Sequence, residues 1–353
     1  MTNWLPTELA SRLTRTPRFD VENHVLLDCD LDESAPVFHV DCYGRSFYRR
    51  VEVAHRGTRW VFHYDSSRRL GVSFRAGMFF DRAAVPGSHL WRVPKARRAA
   101  VLVETPNEYF FDYFPELASS FCCVMTHRDD FVGLGHPFTR LHYGTNWVPI
   151  GDPELLVHGH GKTKDLSFLG SIQHEPVHGY VFRKQVAERL QALGIECFGR
   201  GLKTLASKTD GLDPYRFSVA MENTRSSGYF TEKLIDCFHR GTVPVYWGDP
   251  AIASVFDPRG MIVFENLDGL ESILPTLGPD RYKLMLPYVV ANLERAIALD
   301  LADTAGMYRR IAARLEVATP EGHSRTHGQV GRLARGIRHA VLGLRSPGKG
   351  RFL

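Results

Sequence analysis

Between Glu222 and Lys233 the chain gathers Glu222, Asn223, Thr224, Arg225, Tyr229, Thr231, Glu232 and Lys233 into twelve residues. Thr231 is a good N-cap for the amphipathic run that follows it, and Glu232 in the first turn suits the positive end of a helix dipole. Lys233 does not suit it. A cation there costs about 0.3–1 kcal/mol when exposed and unpaired. The cost disappears if an anion is bound at the same place by the free backbone N–H groups and the ammonium together. Position alone leaves a second reading open, in which Lys233 pairs with Glu232 or Asp236. Arg183 is the natural partner for such an anion, since it lies in the first turns of an earlier helix that also follows a strand. A guanidinium fork and an ammonium can neutralise a diphosphate without a metal. Taken by itself, Arg183 reads as a surface arginine sooner than as a ligand.

The elements that must position these groups are legible around them. Phe217–Pro250 reads as strand, polar loop, helix, strand, and ligands of open α/β sheets bind outside the carboxyl ends of the strands. Upstream, LSFLGS is a buried strand, and Tyr180–Leu193 is an amphipathic helix with Val181, Val186, Leu190 and Leu193 predicted inward. IECFGRG, the RFSVAME strand, the Thr231–Arg240 helix, the TVPVYWG and MIVF strands, and helices to about Glu316 follow. Strands alternating with helices predict a mostly parallel sheet. Toward the N-terminus APVFHVDCY, TRWVFHYD, AAVLVETP and FCCVMTHR are strand-like, so an α/β domain is expected to about Ile150. The polar stretch Gly151–Asp165 reads as the interdomain linker.

The bulk composition bounds the class. With 353 residues, 44% hydrophobic and 24% charged, the chain is a soluble globular protein of about two domains. No apolar run approaches the roughly 20 residues that span a bilayer, and the first twenty residues lack the apolar core of a secretory signal. The six cysteines are scattered with no CxxC pair, which fits free thiols in a reducing, cytoplasmic compartment. The net charge of +5 sits in the tail, where residues 320–353 hold seven Lys and Arg against Glu321 alone. From Gln329 onward Val330, Leu333, Ala334, Ile337, Val341 and Leu344 recur at helical spacing among arginines. This reads either as a peripheral contact with an anionic membrane surface or as a docked terminal helix with a solvated basic face. Nucleic-acid binding ranks third, because the body carries no matching basic patch. Asp129-Asp130 reads as a helix start, and His158 with His160 as linker polarity, not as metal ligands. Gly199-Arg200-Gly201 lacks the spacing of a dinucleotide fingerprint.

ENTRSSGYFTEKLIDCFHRGTVPVYWGDP resembles the signature of glycosyltransferase family 10, the α-1,3/4-fucosyltransferases: E-N-S/T, a short spacer, Y-x-T-E-K-L/I, then G-x-V/I-P-V/I and a glycine. Tyr246-Trp247-Gly248 is similar to the ending seen in bacterial members. Phe168–Ser171, the R-K-x-V helix at Arg183 and the Phe198–Gly201 turn extend the similarity over roughly Asp165–Glu316. The resemblance implies a GT-B architecture, two Rossmann-like α/β domains facing each other across a cleft: 1–155 on the acceptor side, 156–319 for the nucleotide sugar, and 320–353 as the basic amphipathic tail. It implies inverting transfer of L-fucose from GDP-β-L-fucose to a hydroxyl of a glycan acceptor, on lipopolysaccharide or protein, with no divalent metal required. Arg183 and Lys233 would hold the diphosphate, Asn223 and Tyr229 the phosphates or fucose, and Glu232 the ribose hydroxyls. Glu104, at the end of the AAVLVE run, is the candidate base; its neighbour is Val103 where the family commonly has glycine, and Glu108 and Asp112 are rivals. Two alternatives stay open: the same fold acting on another nucleotide sugar, and a non-catalytic GDP-sugar-binding protein.

Overall fold

The structure is a computed structural model that describes residues 17–64, 72–85, 89–106, 108–173 and 179–322. The chain divides into two compact units: one of 17–104, 108–141 and the stretch from Tyr308 onward, the other of 142–307 with a short piece starting at Thr105. The basic stretch 329–353 lies outside the described residues.

The first unit is built on one nine-stranded mixed sheet. Its strands are β1 (Arg18–Asp20), β2 (Val25–Asp28), β3 (Val37–Tyr43), β4 (Arg50–His55), β5 (Thr58–His63), β6 (Ala76–Phe80), β7 (Arg98–Leu102), β8 (Cys123–Thr126) and β9 (Phe138–Arg140). They lie in the order β1-β2-β4-β5-β3-β6-β7-β8-β9. The four strands expected from the sequence are β3, β5, β7 and β8. The β4–β5 hairpin closes on the pair His55–Thr58, with Arg56 and Gly57 both at positive φ, 48° and 72°. Two left-handed residues are what a tight hairpin of this twist requires, and Gly57 supplies one without strain. From β3 to β9 the neighbours β3-β6-β7-β8-β9 are all parallel. Phe79, Leu102, Phe110, Phe111, Phe114 and Phe121 pack into a core on this part of the sheet.

The second unit holds a five-stranded, wholly parallel sheet: β10 (Lys164–Leu169), β11 (Glu196–Phe198), β12 (Tyr215–Met221), β13 (Val243–Trp247) and β14 (Ile262–Val263). The order is β11-β10-β12-β13-β14. Strands of such sheets are covered on both faces and read as near-continuous apolar runs, as β13 does with all five residues buried. The expected alternation of strands and helices is therefore found.

Two expectations need correction. The segment Gly151–Asp165 is not a free linker but part of the second unit. Asp152 caps helix α1 (Pro153–His158) by accepting the Leu155 N–H at 2.9 Å, and Gly159 ends it in the left-handed region. Leu155 and Leu156 are buried, and the Gly151 N–H reaches the His239 carbonyl at 2.8 Å. Helix α2 (Gly179–Ala192) is phased differently from the prediction: Val186 and Leu190 are buried, but Val181 and Leu193 are 43% and 47% exposed. The inward stripe is Gly179, Arg183, Val186, Ala187 and Leu190. Its first turns lie beside polar backbone at the end of β12, so an arginine occupies the inward place where a hydrophobic residue was predicted.

Candidate active site

In the second sheet the chain leaves β10 toward β11 on one side and returns to β12 on the other. Such a switch point opens a crevice at the carboxyl ends of the two strands. Helix α2 follows β10, and helix α3 (Glu232–His239) follows β12. Both helices therefore begin at this edge.

Glu222 is the residue that organises the edge. It continues β12, its N–H bonding the Trp247 carbonyl at 2.8 Å, and its side chain is fully buried. Its carboxylate accepts the Thr231 N–H and the Thr231 hydroxyl, each at 2.8 Å, and faces the Lys233 ammonium at 3.3 Å. Thr231 is the predicted N-cap: its Oγ1 accepts from the Lys233 N–H at 3.4 Å and from Lys233 Nζ at 3.0 Å. Glu232 lies on the other flank of Lys233, also at 3.3 Å.

The charges hold one another. Burial pushes Lys233 toward its neutral form, but Glu232 and Glu222 outweigh it and raise the ammonium above its usual range. Burial likewise pushes the Glu232 carboxyl up, and Lys233 and then Lys208 more than reverse it. Of the two pairing partners considered for Lys233, Glu232 is found and Asp236 is not. Asp236 instead accepts the Trp147 N–H at 2.8 Å and the Lys208 ammonium at 2.6 Å. At 3.3 Å the two carboxylate contacts of Lys233 are longer than the roughly 2.7–2.9 Å of a tight charge-assisted bond.

Arg183 is 2% exposed, so the surface reading fails. Its Nη2 donates to the Met221 carbonyl and to Asn223 Oδ1, both at 2.8 Å, which ties α2 to the end of β12. The guanidinium lies 5.0 Å from the centre of the Tyr180 ring. Its Nε is buried with no acceptor among the described residues. A donor left so costs about 1–3 kcal/mol until something supplies the acceptor. Gly179 permits the approach, since a Cβ there would lie 2.3 Å from the Asn223 carbonyl oxygen. Gly248 of the Tyr-Trp-Gly run is needed in the same way, with a Cβ falling 2.2 Å from the Tyr246 hydroxyl. Tyr229 is buried just after the left-handed turn at Gly228. Arg183, Asn223, Glu232 and Lys233 thus gather around Glu222, with Tyr229 in the same loop.

Glu104 belongs to the sheet of the first unit, two residues beyond β7, with an exposed side chain. Its rivals differ: Glu108 pairs with Arg82 at 2.8 Å, and Asp112 is exposed on the 3-10 turn Tyr109–Tyr113. Asp129 and Asp130 open one turn of helix and pair with Arg140 and Arg128. Among the described residues no three His, Cys, Asp or Glu side chains gather as a metal site. Gly199 serves close packing, because a Cβ would sit 2.2 Å from the Gly170 carbonyl oxygen. Sequence reasoning missed the hub role of Glu222, although its place at the end of an apolar strand, nine residues before an N-cap threonine, was a usable sign.

Two α/β units, each built on its own sheet with parallel strands, are the architecture of the GT-B class of glycosyltransferase folds. The structure is similar to a crystal structure of α1,3-fucosyltransferase, with a TM-score of 0.52 at 17% identity over 88% of this chain and 96% of that one. A second, of α1,3-fucosyltransferase with GDP, gives 0.50 at 16% identity over 82% and 94%. More narrowly, the chain resembles glycosyltransferase family 10: residues 162–279 match the model described as glycosyltransferase family 10 (fucosyltransferase) C-term. A stretch of 65 residues is 40% identical to the alpha-(1,3)-fucosyltransferase FucT of Helicobacter pylori, covering 18% of this chain and 14% of that relative.

Proposed function

We propose that this protein is an inverting fucosyltransferase that takes L-fucose from GDP-β-L-fucose and places it on a hydroxyl of a glycan acceptor. The observation that carries this reading is the pair of cations, buried Arg183 and part-buried Lys233, at the starts of the two helices flanking the switch point. Both face the carboxylate of Glu222, Lys233 also has Glu232 at 3.3 Å, and the Arg183 Nε has no acceptor among the described residues. The GDP in the similar fucosyltransferase structure and the family match over 162–279 support a nucleoside diphosphate as the ligand.

The reaction follows from the charges. The acceptor oxygen attacks C1 of fucose, the bond from C1 to the phosphate oxygen breaks, and the electron pair leaves on GDP. Arg183 and Lys233 stabilise the negative charge that develops there. Asn223 and Tyr229 orient the phosphates and sugar, and Glu232 binds the ribose diol. Glu104 of the first unit takes the acceptor proton. Two cations supply the charge that a divalent ion would otherwise bring, so turnover is expected to persist in chelator. Residues 142–307 form the donor-binding unit and the first unit the acceptor side.

The decisive test is donor turnover with GDP-fucose, GDP-mannose, and UDP- and dTDP-sugars, each with and without a panel of glycans. Transfer from GDP-fucose alone supports the reading. Preference for another nucleotide sugar replaces the donor, and GDP binding without turnover on any acceptor makes the protein a binding module. A cytoplasmic location with peripheral membrane contact through 329–353 is proposed from sequence alone. No described helix is long and apolar enough to cross a membrane. Removing Gln329–Leu353 should release the protein from anionic vesicles while soluble acceptors are still fucosylated; indifference of the full chain to such vesicles removes the proposal.

A further inference from the structure

The peptide of Glu104 is held on both sides by side chains from the strands flanking β7. Asp81 follows β6, and its Oδ1 accepts the N–H of Val103 at 2.9 Å and the N–H of Glu104 at 3.1 Å. His127 follows β8, and its Nε2 donates to the Glu104 carbonyl at 2.9 Å. Beyond Leu102 the ladder of β7 has ended, so these backbone groups take their partners from side chains.

Asp81 is built for this place at a cost. It adopts a left-handed backbone, φ 47°, which non-glycine residues take uncommonly and Asp and Asn more readily than most. Burial pushes its carboxyl up to about 7, against the pull of the two N–H donors, and Glu104 and Glu108 add repulsion. A partly buried aspartate in a left-handed backbone conformation at the carboxyl end of a strand is a poor choice for stability alone. It is well suited to fixing where the next strand's exit points.

We propose that Asp81 is a positioning residue for the base, clamping the strand-end peptide so that the Glu104 carboxylate is presented in one orientation. This rests on the reading of Glu104 as base, and it adds a residue that neither the family motif nor the sequence pattern marks. Holding a reacting group in place is worth orders of magnitude in rate, and a small displacement can cost about 100-fold.

The experiment compares Asp81→Gly, Asp81→Asn and Glu104→Gln in the full chain, with kcat, KM for GDP-fucose and GDP affinity measured for each. Asp81→Gly keeps the left-handed backbone and removes the clamp. Asp81→Asn keeps an Oδ1 acceptor for both N–H groups. The expected result is a fall in kcat of at least tenfold for Asp81→Gly, with donor KM and GDP affinity within twofold of the parent. Asp81→Asn should recover kcat to within about threefold. In a Glu104→Gln background, Asp81→Gly should cause no further loss, because no base remains to be aimed. Should the glycine variant unfold, Asp81→Ser replaces it, its hydroxyl being too short to span both donors. Glycine or serine variants with kcat within twofold of the parent, or an asparagine variant as slow as the glycine one, overturn the clamp while leaving Glu104 as base. Full turnover in Glu104→Gln overturns the base assignment and the clamp with it, a result distinct from the first.

Discussion

The carboxylate of Glu222 accepts both polar hydrogens of Thr231, the backbone N–H on one oxygen and the hydroxyl on the other, each at 2.8 Å. One buried side chain thereby fixes the end of β12 to the first residue before α3, spanning the loop 223–230. The first turn of α3, the Lys233 ammonium and the turn bearing Tyr229 are oriented through this joint. An N-cap threonine ordinarily needs only water at its own N–H. Here that N–H is buried, and the glutamate is what satisfies it.

Glu222→Gln tests the joint. The amide offers one acceptor oxygen and turns an NH2 toward the second donor or the Lys233 ammonium. Breaking a buried charged pair from one side costs about 3–5 kcal/mol, and part of this is regained by the remaining oxygen. A loss of about 2–4 kcal/mol in urea unfolding is expected, with GDP affinity falling more than tenfold by calorimetry. Stability within 0.5 kcal/mol of the parent, roughly the scatter of surface substitutions, contradicts the role.

Lys233→Met makes a prediction with a pH sign. Burial pushes the Glu232 carboxyl up, and Lys233 is the largest influence holding it below its ordinary value. A carboxyl depressed on folding contributes stability that is present above its unfolded value and lost as pH falls through its folded one. Without Lys233 that contribution is gone, so the variant should be least stable relative to the parent at pH 7–8. The gap should narrow as pH falls below the ordinary glutamate range, near 4.5. Denaturant midpoints at pH 7.5 and pH 4 decide it, and an equal gap at both would show that Lys233 does not hold Glu232.

Legibility in the sequence followed the physics of each element. The second sheet was readable because parallel strands buried on both faces appear as continuous apolar runs, as in RFSVAME and TVPVYWG. The cap at Thr231 and the awkward lysine beside it were equally readable, since helix ends have strict chemical needs. The phase of α2 was misjudged because Arg183 is inward: a buried arginine looks like a solvent-facing one until the carbonyl and amide it bonds are known. The clamp from Asp81 was hidden for another reason. AGMFF is short and uninterrupted, its neighbours in the sheet are distant in sequence, and nothing local says that an aspartate after β6 bonds a peptide after β7.

Arg183→Lys distinguishes a fork from a charge. The guanidinium bonds the Met221 carbonyl and Asn223 at once, both at 2.8 Å, and its Nε has no acceptor among the described residues. A lysine brings the same charge but no planar fork, so it cannot hold the loop and the ligand together. GDP affinity is expected to fall about 10–100-fold, with a shallower loss for Arg183→Lys than for Arg183→Ala. Equal affinity in Arg183→Lys and the parent would reduce Arg183 to a point charge.

Gly179→Ala sets local propensity against the site. Within a helix alanine is favoured over glycine by up to about 1 kcal/mol, less at the first position, where no intrahelical bond is yet closed. Yet its Cβ would meet the Asn223 carbonyl oxygen at 2.3 Å and a Trp247 ring carbon at 3.1 Å. Backbone cannot yield as a flexible side chain does, so Asn223 must move, and with it the amide oxygen that Arg183 bonds. Overpacking of this kind costs about 1–3 kcal/mol, which the gain in helix propensity partly offsets. Thermal stability should therefore fall by about 1–2 kcal/mol, while GDP affinity drops at least tenfold. A variant that binds GDP as the parent does would show that the approach of α2 to the β12 loop is incidental to the ligand, whatever its melting temperature.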